Sequence, residues 1–127
     1  MSILSYRDLV VWQEGMAIAK EVYKAKEHFP KQKLYGLVSQ IRRCSVSIPS
    51  NIAEGHARTS TKEYLHHISF VMGSLAELGT QLILSNELQY LDEIIMNSLL
   101  ERCETLGRRL RSLTSSLKSR VLQSKET

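Results

Sequence analysis

Residues 99–118, Leu-Leu-Glu-Arg-Cys-Glu-Thr-Leu-Gly-Arg-Arg-Leu-Arg-Ser-Leu-Thr-Ser-Ser-Leu-Lys, set Leu99, Cys103, Leu106, Leu110, Leu113 and Leu117 at intervals of three or four. That period places one apolar side chain per turn along a single seam of an α-helix, and the seam has to be covered by other helices. Three more stretches upstream read the same way. No stretch alternates as a strand, and there is no long linker or internal repeat. The fold class is therefore all-α: an antiparallel up-and-down four-helix bundle, one domain over residues 1–127 with a frayed tail from about 121.

The first helix is predicted from near Asp8 to about Phe29. Leu9, Trp12, Met16, Ala19 and Tyr23 form one apolar side, and Val11, Ile18, Val22, Ala25 and Phe29 cluster on the opposite side. A helix in a small bundle normally shows one side to water. The second side is therefore assigned to a neighbouring copy, with Val11, Ile18, Val22 and Phe29 as the candidate oligomer interface. Phe29-Pro30 ends this helix, since proline lacks an N–H and suits a first turn.

The second helix carries Leu34, Leu37, Ile41, Cys44, Ile48 and Ile52. Pro49 falls inside this pattern, which predicts a kink near Ser45 and a continuation to Gly55 as terminator. Ser60 opens the third helix and Glu63 completes a capping box. Its stripe is Tyr64, Ile68, Val71, Leu75, Leu78 and Leu82, while Gly73 and Gly79 suggest close approach of a second backbone. The fourth helix is predicted from about Asp92 to near Arg120.

Composition fits an ordinary globular protein: 127 residues, 43% hydrophobic and 24% charged. No purely apolar run is longer than Leu9–Trp12, which is too short to cross a bilayer. With no leader or lipidation pattern, a cytoplasmic location and no membrane partner are expected. Cys44 and Cys103 fall on apolar stripes and read as reduced core thiols.

The net charge of +4 is unevenly placed. Residues 1–101 hold ten Lys or Arg against eleven Asp or Glu, whereas the remainder holds Arg102, Arg108, Arg109, Arg111, Lys118, Arg120 and Lys125 against Glu104 and Glu126. Such a bias suits a polyanion. Arg102, Arg108, Arg109, Arg111, Lys118 and Arg120 are thus the candidate nucleic-acid-binding residues. On a helical wheel, Arg102, Arg109 and Arg120 flank one side of the leucine seam, Arg111 and Lys118 the other, and Arg108 lies behind. The plainer alternative is a solvated face, with Glu104 pairing to Arg108 one turn on.

Gln40, Arg43, Ser47, Asn51 and Glu54 make a polar stripe beside the apolar one on the second helix. It reads either as side chains that satisfy one another at a packed flank or as a ligand-contacting ridge, the first being the commoner use of such stripes. Glu77, among Leu75, Ala76 and Leu78, is expected to be buried and paired with Arg43 or Arg42. His66 and His67 are adjacent and diverge by about 100° on a helix, so they cannot chelate together. His28, His56 and the two cysteines lack ligand spacing, and no nucleophile elbow or phosphate loop occurs. No metal, cofactor or enzymatic activity is expected.

Asp8-Leu9-Val10-Val11-Trp12-Gln13, Phe29-Pro30, Tyr35-Gly36-Leu37 and Gln40-Ile41-Arg42-Arg43 resemble the 23S rRNA intervening-sequence-encoded four-helix bundle proteins. Ser47-Ile48-Pro49-Ser50-Asn51-Ile52-Ala53-Glu54-Gly55 and Gly73-Ser74-Leu75-Ala76-Glu77-Leu78 strengthen the match. The resemblance implies a ring-like homopentamer, and kinship to the accessory proteins of diversity-generating retroelements, which bind nucleic acid and a reverse transcriptase. It implies no enzymatic activity, and roles in fold and assembly for Arg43, Asn51, Glu54 and Glu77, with Ser47 in the same stripe. The expected function is a non-enzymatic oligomeric scaffold whose partners are itself, RNA or DNA, and a nucleic-acid-processing protein. The alternative is a protein-interaction adaptor that touches no nucleic acid.

Overall fold

In the computed structural model the described residues are 5–25, 29–30 and 36–126, with side chains through Gln123. A short 3-10 helix, Tyr6–Asp8, leads into α1 (Val10–Ala25), followed by α2 (Leu37–Ala57), α3 (Thr61–Glu87) and α4 (Glu93–Glu126). Among the described residues there is no strand. Each helix packs on the next in sequence, and α4 closes back onto α1, which makes a four-helix bundle. Leu34 of the second stripe, residues 26–28 of the first helix and Tyr35 of the family motif lie outside the described residues.

The ends of the helices follow local chemistry. Ser60 Oγ accepts the Glu63 N–H at 3.2 Å, and Asp92 Oδ1 accepts the Ile95 N–H at 2.9 Å, each satisfying one orphan donor of a first turn. Gly36 precedes α2 with φ of +81°, a conformation that favours glycine. Between α3 and α4, Asn86 Nδ2 donates to the Leu91 carbonyl at 3.1 Å and Gln89 takes a positive φ of 65°. The last helix continues to Glu126, past the frayed end expected near Arg120.

The core is one cluster drawn from all four helices, with Ile48, Ile52, Val71, Leu78, Leu106 and Leu110 fully buried. By length and apolarity α3 passes as a membrane span, yet Ile68, Val71, Leu75, Leu78 and Leu82 on its inner side are bundle core. Pro49 lies inside a continuous α2 and is itself buried, and Gly15 of α1 lets the two helices meet there. A β-carbon on Gly15 would stand 3.2 Å from Ile48 Cγ2 and 3.4 Å from Pro49 Cα.

Three expectations are corrected. Val11, Ile18, Val22 and Phe29 are only 8%, 1%, 3% and 8% exposed within the single chain, so they form its own core and offer no surface to a neighbour. The cause is a reversal of sides: the Val11–Ile18–Val22 stripe points inward. On the other side Leu9, Trp12 and Met16 are half-buried, and Tyr23 is 44% exposed. Gly55 does not end α2, which runs on to Ala57. Among the described residues Gly73 has nothing within 4 Å of a β-carbon and Gly79 only ordinary contact with Leu100, so the close approaches are at Gly15 and Gly55 instead.

Candidate nucleic-acid interface

The basic residues of α4 do not gather on one stripe. Arg109 reaches α1 and forms an ion pair through its Nε with Glu14 Oε1, an interaction the sequence reading missed because the two residues share no local spacing. The other oxygen, Glu14 Oε2, is buried without a hydrogen-bond partner among the described residues. Exposed Arg102 lines the adjoining α1–α4 groove of about 370 Å³ with Glu14, Ala17, Ser98, Glu101 and Thr105. Arg108 donates from Nη2 to Thr105 Oγ1 at 3.3 Å, and no Glu104–Arg108 ion pair forms among the described residues.

On the opposite flank Arg111 overlies Gly107 at the edge of an α3–α4 groove of about 480 Å³. Met72, Leu75, Ala76, Gly79 and Leu100 help to line it. Lys118 and Arg120 are exposed near the end of the bundle, and the Arg120 guanidinium partly offsets the burial that raises the Tyr64 phenol. The set of six is thus split by geometry: Arg109 is engaged by a carboxylate, Arg108 by the Thr105 hydroxyl, Arg102 and Arg111 line separate grooves, and Lys118 with Arg120 mark the bundle end.

The polar stripe of α2 meets α3 in a hydrogen-bonded seam. Ser47 Oγ lies 2.6 Å from the Cys44 carbonyl and 2.7 Å from Ser74 Oγ, while the Cys44 thiol donates to the Ser74 carbonyl at 3.1 Å. Asn51 Nδ2 donates to the Ser47 carbonyl at 2.9 Å, which turns its Oδ1 toward His67 Nδ1 at 3.2 Å. Because that amide oxygen can only accept, the contact is a hydrogen bond in the tautomer that carries its proton on Nδ1. Glu54 Oε2 stands 3.8 Å from the same nitrogen. Sequence spacing identified Ser47, Asn51 and Glu54 but not His67, which belongs to a different helix.

Glu77 is exposed on the outer flank of α3, not buried among its leucine neighbours, since it lies about 100° from Leu78 around the helix. It accepts from Gln81 Nε2 at 3.3 Å and has no ion pair with Arg42 or Arg43 among the described residues. Arg42 instead stacks its guanidinium over Tyr23 at 4.5 Å. Arg43 and Glu77 line a notch of about 310 Å³ with Gln40, Cys44, Ser47 and Ser74. Burial first, and then the nearby Glu77 carboxylate, push the Cys44 thiol up to about 12, and burial pushes Cys103 to about 11. Thiols held protonated in this way are poor nucleophiles. Among the described residues no three His, Cys, Asp or Glu side chains gather as a metal site.

Four helices around one core, with a hydrogen-bonded polar seam and separated arginines, define an all-helical bundle protein. The sequence model of the 23S rRNA-intervening sequence protein family matches residues 7–112, and the chain belongs to that family. Its fold is similar to the 1.70 Å crystal structure of a protein of unknown function from the S23 ribosomal protein family of Bacteroides thetaiotaomicron. The TM-score is 0.77 at 20% identity, over 83% of this chain and 98% of that one. No curated protein matches the chain.

Proposed function

We propose that this chain is a non-enzymatic scaffold that assembles with copies of itself, as a ring of five, and binds RNA or DNA through its basic surface in the cytoplasm. The observation carrying this reading is the charge asymmetry: all the excess positive charge lies after residue 101, on the longest helix. One copy offers a modest field, and several copies side by side multiply it where phosphates approach. The apolar material for assembly is the outer side of α1 around half-buried Met16 and exposed Tyr23. The outward side of α3 adds Phe70, Ile83 and Leu84, each 43–50% exposed.

A salt titration of binding to labelled RNA and DNA tests this reading. Phosphate neutralisation predicts affinity that falls steeply as salt rises. Absent binding at low salt, or affinity indifferent to salt, contradicts it and leaves a protein-interaction adaptor whose arginines keep the bundle soluble.

A further inference from the structure

The up-and-down topology brings the start of α1, the end of α2, the start of α3 and the end of α4 to one end of the bundle. The cations exposed there are Arg7 in the 3-10 helix, Arg58 and Lys62 on either side of the α2–α3 turn, and Lys118 and Arg120 on α4. These side chains come from four separate segments, so no sequence window shows them together. The platform is anchored. Gln13 Nε2 donates to the Arg7 carbonyl at 2.9 Å, Tyr6 stacks edge-on against Trp12 at 5.3 Å, and the 3-10 helix packs on both α1 and α2. The Arg58 N–H bonds to the Gly55 carbonyl at 3.2 Å, and Ser60 caps α3 immediately afterwards, so the turn bearing Arg58 and Lys62 is fixed at both sides.

We infer that this end of the bundle, and not the length of α4, is where the chain takes the phosphodiester backbone of a nucleic acid. The inference rests on the nucleic-acid reading above and gives it a place. Along the middle of α4, Arg109 is engaged by Glu14, and Glu101 and Glu104 stand beside Arg102 and Arg108. At the end, five exposed cations face Asp8, Glu63 and Glu54, and the last of these is turned to His67. The opposite end exposes Glu87, Asp92 and Glu93 together with Lys24 in the last turn of α1. Cations thus outnumber carboxylates among the described residues of the end bearing Arg58 and Lys62, which favours the approach of a polyanion there.

Two charge reversals of equal size separate the end from the helix: Arg58→Glu with Lys62→Glu, and Arg102→Glu with Arg111→Glu. Both are checked for native helicity and melting, then compared by anisotropy with labelled RNA and DNA across a salt series. The end pair is expected to weaken binding by about tenfold or more and to reduce the salt slope by about 1.5–2, with the helix pair far milder. The opposite ranking overturns the placement while leaving nucleic-acid binding intact. An amide chemical-shift titration with inorganic tripolyphosphate provides an independent arm. Shifts centred on Arg58–Lys62 without any RNA or DNA binding would keep the anion site and remove the nucleic-acid reading. Shifts centred elsewhere, or none, overturn the site itself.

Discussion

Gly55 of α2 backs directly onto His67 of α3: a β-carbon added to the glycine would lie 2.8 Å from the histidine Cβ and 3.0 Å from Tyr64 Cδ1. The glycine thus sets how closely the two helices cross, and the crossing brings Asn51 within hydrogen-bonding reach of His67. Gly55→Ala gains helix propensity, but it must push α3 away or twist His67 off its rotamer. A net loss of about 1–3 kcal/mol in urea denaturation is expected. Gly73→Ala meets nothing within 4 Å among the described residues and is expected to stabilise by up to about 1 kcal/mol. Similar effects from the two substitutions would contradict this account of the α2–α3 crossing.

Ile18 is 1% exposed inside one copy. Ile18→Ala should therefore cost about 2–5 kcal/mol of folding stability through the cavity it leaves. A residue at a subunit contact would behave differently, changing association while leaving the fold of each copy nearly as stable. Chemical denaturation at several protein concentrations distinguishes the two, and a loss that appears only on dilution would return Ile18 to the interface.

Arg109 and Glu14 tie α4 to α1, with the arginine side chain 53% and the carboxylate 25% exposed. Partly solvated pairs of this kind contribute about 0–1 kcal/mol. Arg109→Ala should lower the melting temperature by a few degrees at most, less so in high salt, and leave the salt slope of RNA binding unchanged. A slope reduced by about one would show that Arg109 contacts phosphate after all.

Burial holds both thiols protonated well beyond the ordinary value of 9.0, Cys44 to about 12 and Cys103 to about 11. The folded-state values are raised, so this contribution to stability is whole below pH 9 and is lost as pH rises through 11–12. Native protein should react slowly with a thiol-specific reagent at neutral pH and quickly once denatured. Its denaturation midpoint should fall between pH 9 and 11 by less in a variant with Cys44→Ala and Cys103→Ala. Fast native labelling at neutral pH would contradict the protonated state.

The helical period was sufficient to place the core of α2, α3 and α4, because Ile48, Leu78 and Leu106 each repeat with neighbours one turn away. It could not decide which apolar side of α1 faces inward. Both sides have the same period and similar apolarity, and only the other three helices settle that Val11, Ile18 and Val22 point in. Ser60 and Glu63 were legible as a cap because the chemistry is local. His67, Glu14 and the meeting of Arg7, Arg58, Lys62 and Arg120 were not, since each depends on residues distant in sequence. Glu77 looks buried in the sequence because Leu75, Ala76 and Leu78 surround it along the chain, whereas its neighbours around the helix, Gly73, Ser74, Thr80 and Gln81, are not large apolar residues.

Multi-angle light scattering on the full chain tests the claim that copies assemble to gather their charge. The account predicts one species with about five times the 14.5 kDa chain mass, shifted toward smaller species by Met16→Glu and Phe70→Glu. A single 14.5 kDa species at micromolar concentration, unchanged by those substitutions, would contradict it.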